Sequence, residues 1–242
     1  MKSSSNLFEF DEKIGTLNHC EKRQSSDGAI QNSSLLTAHC SPFTMVIGTD
    51  EAGRGPGAGG VFASAVYFPN LSAELIKKLS SLNDSKKLSK KIREELYKII
   101  LENTINSTVC IEVEEIEKIN ILNASLKAMK LACENVIDQI GIKNILVLVD
   151  GNKKIKDFSY PQQFIVKGDG KSASIAAASI LAKVTRDRYM QELDKKFPQY
   201  NWKQNAGYLT AEHLKAIEKY GITPNHRKSF LKNRNAKQLS LY

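Results

Sequence analysis

Four carboxylates of this 242-residue chain follow segments that are predicted to be strands: Asp50, Glu51, Asp150 and Asp169. The ends of neighbouring strands converge at one edge of a sheet, so we expect these side chains to meet in a shallow cleft. Their mutual repulsion there is costly unless a divalent cation neutralises it. Oxygen ligands without a nearby cluster of His or Cys suit Mg²⁺ or Mn²⁺, and two such ions about 4 Å apart hydrolyse phosphodiesters. With 26 Asp and Glu residues in the chain, position alone is equally compatible with solvated or helix-capping acids.

A glycine-rich turn, GRGPGAGG at residues 53–60, follows the first two carboxylates. It contains a literal G-x-G-x-x-G, but a β-rich run at residues 61–68 follows, whereas a dinucleotide-binding motif needs a helix to begin at its glycines. We therefore predict no nucleotide site here. Backbone without side chains instead lets a sugar–phosphate chain approach, with Arg54 available for phosphate. A tight hairpin that needs glycine only for positive φ is the equally weighted alternative.

The spacing of apolar residues predicts an α/β domain with a mixed central sheet flanked by helices and a helical C-terminal portion. Residues 45–49 and 60–68 are expected to pair as antiparallel strands across the glycine-rich turn. The continuous apolar run at residues 144–149 is typical of a strand covered on both faces. Further strands are predicted at residues 108–114 and 164–166, and helices at residues 90–102, 119–140, 172–197 and 210–220.

Residues 1–43 are rich in serine, mix acidic and basic side chains and show no sustained periodicity. We expect a flexible tail there, followed by one domain at residues 44–242. An organelle transit peptide would be rich in arginine and poor in acids, and no apolar run approaches the roughly 20 residues of a membrane-spanning helix. We therefore expect a cytoplasmic protein without a membrane partner. The four cysteines are scattered and are expected to be reduced thiols.

Six segments, taken together and in order, resemble the bacterial ribonuclease HII family. They are TDEAGRG at 49–55, NDSKKLS at 83–89, INILNAS at 119–125, LVDGN at 148–152, VKGDGKSASIAAASILAKVTRD at 166–187 and GITPNHRKSF at 221–230. The resemblance implies a ribonuclease H-like fold. It also implies an endonuclease that cuts the RNA strand of RNA–DNA hybrids and cuts 5′ to ribonucleotides embedded in duplex DNA. Such an enzyme leaves 5′-phosphate and 3′-hydroxyl ends and serves ribonucleotide excision repair.

The resemblance also assigns roles residue by residue. Asp50, Glu51, Asp150 and Asp169 match the family's catalytic and metal-binding quartet. Six further residues are implied to bind substrate: Gly53, Arg54 and Gly55 at the ribose 2′-hydroxyl, Tyr208 at the sugar of the RNA–DNA junction, and Ser85 and Lys86 at backbone phosphate. For His226 and Arg227 we expect packing or phosphate contact rather than acid–base catalysis. The expected partners are RNA–DNA hybrid duplex and DNA containing ribonucleotides, bound by a monomer.

Four residues depart from the family pattern: Gly57, Gly60, Ala206 and Leu209. The family has a bulkier residue and a proline at the first two positions, a lysine at the third, and proline or glycine at the fourth. These changes bear on how tightly substrate is held, because a lost lysine removes one phosphate contact. The alternatives to this function are a non-catalytic hybrid-binding module, a DNA-directed nuclease on the same fold, and a ribonuclease HIII-like enzyme. The last usually carries a folded N-terminal domain, for which residues 1–43 are short and polar.

The formal net charge of +9 is unevenly distributed along the chain. In residues 201–242, eight basic residues face only two acidic ones: Lys203, Lys215, Lys219, Arg227, Lys228, Lys232, Arg234 and Lys237 against Glu212 and Glu218. A basic C-terminal region beside an acidic cleft suits a nuclease that holds a duplex, because phosphates need cations along the groove and carboxylates only at the cut.

Overall fold

The computed structural model describes residues 6–15, 45–82, 88–141 and 144–232. Five strands form one sheet in the order β3-β2-β1-β4-β5. They are β1 (Met45–Ala52), β2 (Val61–Tyr67), β3 (Ile105–Ile111), β4 (Ile145–Asp150) and β5 (Gln162–Ile165). Strand β1 is antiparallel to β2 and parallel to β4, so the predicted mixed sheet and the antiparallel first pair are both confirmed. Strand β4 is buried along nearly its whole length, as its apolar run predicts.

The helices surround this sheet and supply the C-terminal portion. They are α1 (residues 6–15), α2 (Ala73–Lys78), α3 (Lys90–Asn103), α4 (Val113–Ile119), α5 (Ile121–Ile140), α6 (Ala173–Lys196), α7 (Trp202–Asn205), α8 (Ala211–Tyr220) and α9 (residues 228–232). The predicted helix over residues 119–140 is in fact two, because Asn120 at φ +65° separates α4 from α5. The predicted strand over residues 108–114 begins and ends earlier, and its last residues belong to α4, whose Val113 and Ile116 are buried.

Helix α5 covers one face of the sheet and helix α6 covers the other. Ile47 and Val147 pack with α5, whereas the alternate residues Val46 and Leu148 pack with Ile175 of α6. Helix α6 lies so close to β1 that a Cβ atom on Gly48 would be 2.2 Å from its backbone. The alanine-rich sequence of α6 makes this approach possible, and it brings the helix directly behind the ends of β1 and β4.

Helix α1 corrects one expectation, since it lies inside the segment predicted as a flexible tail. Leu7 and Phe8 are buried, and the Phe8 ring meets Phe68 edge to face with centroids 5.3 Å apart. Phe10 and Ile14 pack against β4 and α6. These four residues have helical spacing, but the amphipathic run is only ten residues long and the serines around it obscure the pattern. Residues 16–43 of the predicted tail lie outside the described residues.

The hydropathy of the helices and the state of the cysteines complete the description of the fold. Within the described ranges, no helix is long and apolar enough to cross a membrane. Cys110 and Cys133 are free thiols, as expected, and burial raises the pKa of Cys133. Cys20 and Cys40 lie outside the described residues.

Candidate active site

The sheet brings Asp50 and Asp150 side by side. Strands β1 and β4 are parallel and in register at Thr49 and Val149, so the next two residues occupy adjacent positions on strands about 4.8 Å apart. Asp50 is only 5% exposed. Burial raises the pKa of Asp50 well above its usual value, and the charges of Glu51 and Asp150 raise it further. These three acids therefore form one electrostatic unit.

Each of these carboxylates is held by a donor from the protein. An oxygen of Asp50 accepts the main-chain N–H of Glu51 at 2.7 Å, and Ser179 of α6 also bonds to the Asp50 carboxylate. Glu51 accepts from the guanidinium of Arg54 at 3.2 Å. Asp150 accepts the main-chain N–H of Gly168 at 2.6 Å. The turn after β5 therefore contacts the end of β4 through Gly168, and helix α6 contacts β1 through Ser179.

Asp169 lies in that turn, a short 3₁₀ segment at Gly168–Gly170 between β5 and α6. It is buried, and it follows directly on the residue that bonds to Asp150. A Cβ atom on Gly168 would lie 3.1 Å from an Asp150 oxygen and 2.6 Å from the Ile175 side chain. Glycine is therefore required there for the turn to approach β4. We refer to Asp50, Glu51, Asp150 and Asp169 as the carboxylate cluster.

The carboxylate cluster has the chemistry of a site for a hard divalent cation. Its donors are all carboxylate oxygens, which suit Mg²⁺ or Mn²⁺. Burial is the main cause of the raised pKa of Asp50, and the repulsion from Glu51 and Asp150 that adds to it is what a cation would offset. Among the described residues, no three His, Cys, Asp or Glu side chains are grouped closely enough to hold an ion. In the structure, one oxygen each of Asp50, Glu51 and Asp150 accepts a hydrogen bond from Glu51 N–H, Arg54 and Gly168 N–H, respectively.

Residues 53–60, which we call the glycine turn, are held from behind by two buried arginines. The first is Arg186 of α6, which is 2% exposed. Its guanidinium donates to the main-chain carbonyls of Ala58 at 3.2 Å, Gly60 at 3.3 Å and Ala206 at 3.1 Å. A Cβ atom on Gly53 would lie 2.2 Å from the Arg186 Nε, so the turn passes directly over this side chain.

The second is Arg227, which is 0% exposed. It donates to the carbonyl of Gly59 at 2.9 and 2.7 Å, to that of Pro56 at 2.8 Å and to that of Arg54 at 3.2 Å. Burial and the neighbouring charge of Arg186 lower the pKa of Arg227. The planar fork of arginine matches several carbonyls at once, which is why this residue type can hold a turn whose carbonyls point inward.

The sequence did not predict this role for either arginine. No role was predicted for Arg186, which stands within TRDR, and Arg227 was expected in packing or phosphate contact. In the sequence, the alanine-rich run of α6 indicates a buried helix, but that run lies in the helical turns before Arg186.

Tyr208 stands over the glycine turn with 52% of its surface exposed. A Cβ atom on Gly55 would lie 3.3 Å from the Tyr208 ring, and the main-chain N–H of Gly57 donates to the Gly207 carbonyl at 2.9 Å. The ring is therefore held beside GRG and remains open to solvent. Arg54, at the centre of GRG, is half exposed and engaged with Glu51 in this structure.

A buried histidine pair supports the backbone of Tyr208. His213 Nδ1 lies 2.9 Å from the Tyr208 carbonyl, and its Nε2 accepts the indole N–H of Trp202 at 3.0 Å. His226 Nε2 lies 3.1 Å from the same His213 nitrogen. Burial lowers the pKa of both histidines. His226 therefore packs inside an aromatic cluster, one of the two roles expected of it.

Two departures from the family pattern are explained by neighbouring side chains. A Cβ atom on Gly57 would lie 2.5 Å from the Leu209 side chain, so Leu209 fills the space that a larger residue at 57 would take. A Cβ atom on Gly60 would lie 2.5 Å from the Cys110 sulfur in the same way. Volume lost at each glycine is thus restored from another strand or loop.

The remaining predicted residues divide into two groups. Ser85 and Lys86 lie in residues 83–87, outside the described residues. In the basic C-terminal region, Arg227 is buried, whereas five lysines are exposed: Lys203, Lys215, Lys219, Lys228 and Lys232. Arg234 and Lys237 lie outside the described residues.

Comparisons with known proteins agree on one family. The family model of ribonuclease HII matches residues 47–234. Ribonuclease HII of Rickettsia akari is 52% identical over 186 residues, which cover 77% of this chain and 91% of that protein. The solved ribonuclease H2 of Pyrococcus horikoshii has a TM-score of 0.59 at 25% identity, over 76% of this chain and 93% of that one. Bst-RNase HIII, solved in complex with Mn²⁺, shares the fold with a TM-score of 0.57 at 18% identity, over 83% of this chain and 73% of that one.

This chain belongs to the ribonuclease HII family, as its six ordered segments predicted. It has the ribonuclease H-like α/β fold and is an endoribonuclease of the ribonuclease HII type. The family model and the relative at 52% identity are both ribonuclease HII, so the ribonuclease HIII-like alternative is not supported.

Proposed function

We propose that this chain hydrolyses the phosphodiester bond on the 5′ side of a ribonucleotide, in RNA–DNA hybrids and in duplex DNA containing ribonucleotides. The observation that carries the proposal is the placement of buried Asp50 beside Asp150 at adjacent strand ends, where burial and then the charges of Glu51 and Asp150 raise the pKa of Asp50. A site that concentrates negative charge in this way favours a divalent cation. Metal-dependent cleavage, as in the family, would give these repelling carboxylates a function and so a reason to lie together.

The carboxylate cluster would hold Mg²⁺ or Mn²⁺ through Asp50, Glu51, Asp150 and Asp169. Bound ions of this kind lower the pKa of water and stabilise the charge on the leaving oxygen. The Mn²⁺ bound by Bst-RNase HIII, a protein of the same fold, supports this proposal. Around the cluster, Ser179 and the Gly168 N–H orient Asp50 and Asp150. No side-chain nucleophile is needed, because water attacks the phosphorus.

The glycine turn would read the ribose. Gly53 follows Glu51 by two residues, so the backbone that contacts the 2′-hydroxyl and the acids that cut lie on one continuous segment. Tyr208 offers an exposed ring against Gly55 for the neighbouring sugar. The two buried arginines keep this backbone in one conformation, so that recognition is achieved with little loss of entropy on binding.

The duplex would run from the carboxylate cluster past Tyr208 to the exposed lysines of the C-terminal region. Because those lysines neutralise phosphates, binding should weaken steeply as salt is added. Ser85 and Lys86 stay predicted phosphate contacts on the strength of the DSK segment alone. A monomeric state and a cytoplasmic location likewise stay predictions from the sequence.

The test is an endonuclease assay with full-length Asp50→Asn and Asp150→Asn variants. The substrates are a duplex DNA with one ribonucleotide, an RNA–DNA hybrid and an all-DNA duplex, each with Mg²⁺, Mn²⁺ or chelator. Both variants should lose cleavage by about 10³-fold or more, because removing a metal ligand forfeits several kcal/mol of transition-state stabilisation. Asp187→Asn is the matched control, since Asp187 pairs with Lys183 at 2.6 Å on α6.

Three outcomes would count against the proposal. Near-normal cleavage by either Asn variant would remove that residue from the catalytic set. Equal cleavage of the all-DNA duplex would favour a DNA-directed nuclease. Tight binding without any cutting, in Mg²⁺ and in Mn²⁺, would favour a non-catalytic binding module.

A further inference from the structure

We propose that helix α1 is a working part of the active site, in which Asp11 fixes the start of α6 and thereby positions the turn that carries Asp169. The inference rests on the proposed catalytic role of Asp169. Asp11 is a positioning residue in this scheme, since it acts through the α6 backbone.

The contact itself is short and buried. One carboxylate oxygen of Asp11 accepts the main-chain N–H of Ser174 at 2.8 Å and the Ser174 hydroxyl at 2.8 Å. Asp11 is 9% exposed. Leu7 and Phe8 precede Asp11 and are buried beside α6, and Ile14 follows it and packs with β4 and Ile175, so α1 is anchored on both sides of the carboxylate.

Asp11 caps the helix that starts beside Asp169. The first N–H groups of α6 have no partner within the helix, and the aligned peptide dipoles favour an anion there. Ser172 satisfies the N–H of Ile175 at 3.2 Å, and Asp11 satisfies that of Ser174. The hydroxyls of Ser172 and Ser174 lie 3.1 Å apart and join the two caps into one network. A residue 163 positions away in the sequence thus completes the start of α6.

The same network reaches the carboxylate cluster. The carbonyl of Gly168 accepts the N–H groups of Lys171 at 2.9 Å and Ser172 at 2.8 Å, and the Gly168 N–H donates to Asp150. Asp169 therefore lies between two fixed points, Asp150 at the start of the turn and Asp11 at its end. Releasing the Asp11 end would remove the hydrogen bonds that tie Ser174, at the far end of this segment, to α1.

Stability alone is a poor explanation for a carboxylate at this position. Burial raises the pKa of Asp11 to about 6, although hydrogen bonds from Ser172, Ser174 and the Ala173 N–H act to lower it. A buried carboxylate whose ionised form costs more to desolvate than these bonds return is an expensive way to hold a helix. Precise placement of the Asp169 turn is the advantage that offsets this expense.

The test compares full-length Asp11→Ala, Asp11→Asn and Glu9→Ala variants by calorimetric titration with Mn²⁺, by cleavage kinetics and by hydrogen exchange of residues 168–175. Asp11→Ala should weaken Mn²⁺ binding and lower kcat by about tenfold each, as for other residues that orient metal ligands, with KM for the duplex unchanged. Amides of residues 168–175 should exchange faster. Asp11→Asn keeps an acceptor for Ser174 and should restore both values to within about twofold. Glu9 is exposed on the same helix, so Glu9→Ala should behave as the unsubstituted chain.

The outcomes separate this inference from the proposed function. Wild-type Mn²⁺ affinity and kcat in folded Asp11→Ala, beside their loss in Asp169→Asn, would overturn the inference and leave the proposed function standing. Wild-type behaviour of Asp169→Asn would count against the role of Asp169 itself. If Asp11→Ala does not fold, Ser174→Ala takes its place, because it removes only the hydroxyl donor. It should then show a smaller loss in the same direction, and no loss would overturn the inference.

Discussion

The carboxylate cluster and the glycine turn adjoin along the chain but are held in place by different means. Asp50 and Asp150 are placed by strand register, which fixes the backbone from both sides through ladder hydrogen bonds. The glycine turn lacks a continuous ladder between residues 53 and 60. Its main chain bonds only at separate points, to Gly207, Asn225 and Arg227, and its inward carbonyls also depend on the side chains of Arg186 and Arg227. A sheet ladder therefore places one region, whereas separate main-chain bonds and two buried side chains place the other.

Because of this difference, substitutions in the two regions should have different effects. A substitution in the carboxylate cluster removes charge from a site that the sheet still shapes, so activity should fall while the fold survives. A substitution of either arginine removes donors that the folded backbone requires, so stability should fall first. The two regions should thus fail by different measurements.

The largest expected effect on stability comes from Arg227→Met. The substitution keeps much of the side-chain volume but leaves the carbonyls of Gly59 and Pro56 without these donors, so we expect a loss of about 3–5 kcal/mol in the free energy of unfolding. Urea denaturation followed by circular dichroism measures it. Arg188→Met is the control, because Arg188 is half exposed and pairs with Glu94, and exposed pairs contribute about 1 kcal/mol or less. Equal losses in the two variants would show that buried Arg227 contributes no more to stability than an exposed arginine.

The next effect tests Asp11, which ties α1 to the start of α6. The pKa of Asp11 is about 6 in the folded chain against 3.8 ordinarily, so folding favours its protonated form. Its contribution to stability is therefore fully present below about pH 4 and is lost as pH rises to about 6. Asp11→Asn should gain roughly 2–3 kcal/mol relative to the unsubstituted chain between those pH values and then level off. A pH series of urea unfolding curves measures this, and a constant difference across the series would contradict it.

A smaller effect concerns packing at the glycine turn. Gly57→Leu should cost about 1–3 kcal/mol, because the new side chain meets Leu209. Adding Leu209→Gly should return most of that loss, since the two positions share one volume. A double-mutant cycle of unfolding free energies gives the coupling. Simple additivity of the two losses would show that Leu209 does not fill the space at residue 57.

The smallest effect concerns the affinity for the duplex. Ala206→Lys restores the lysine expected from the family pattern and should add one phosphate contact, which steepens the dependence of log K on log salt by about 0.9. Anisotropy titrations of a hybrid duplex against the Asp50→Asn background measure the slope without cleavage. Ala206→Gly is the control for backbone strain, because residue 206 has φ +49°. An unchanged slope would place residue 206 away from the duplex.

The backbone positions of the carboxylate cluster could largely be predicted from the sequence, because strand ends and the motifs around them are local patterns. The apolar run of β4 and the short run of β1 each end at a carboxylate, and the parallel pairing of the two strands then brings them together. Ordered motifs carried the family assignment, which the comparisons confirm. The site roles of individual residues stay predictions.

The side chains that hold the site in place could not be predicted in the same way. No role was predicted for Arg186, and the segment of Asp11 was predicted to be part of a flexible tail, yet both side chains are buried against backbone more than 100 residues away. A buried polar side chain has the same local sequence as an exposed one, since its partner is chosen by the fold.

The sequence by itself determined the fold class, the family and the acids at the strand ends, because periodicity and motif order are written along the chain. Only the tertiary structure decided which side chains hold those acids and the glycine turn in place. Hydrogen bonds accepted by Asp11 and donated by Arg186 and Arg227 join segments far apart in sequence, and such pairings exist only once the sheet and α6 have packed.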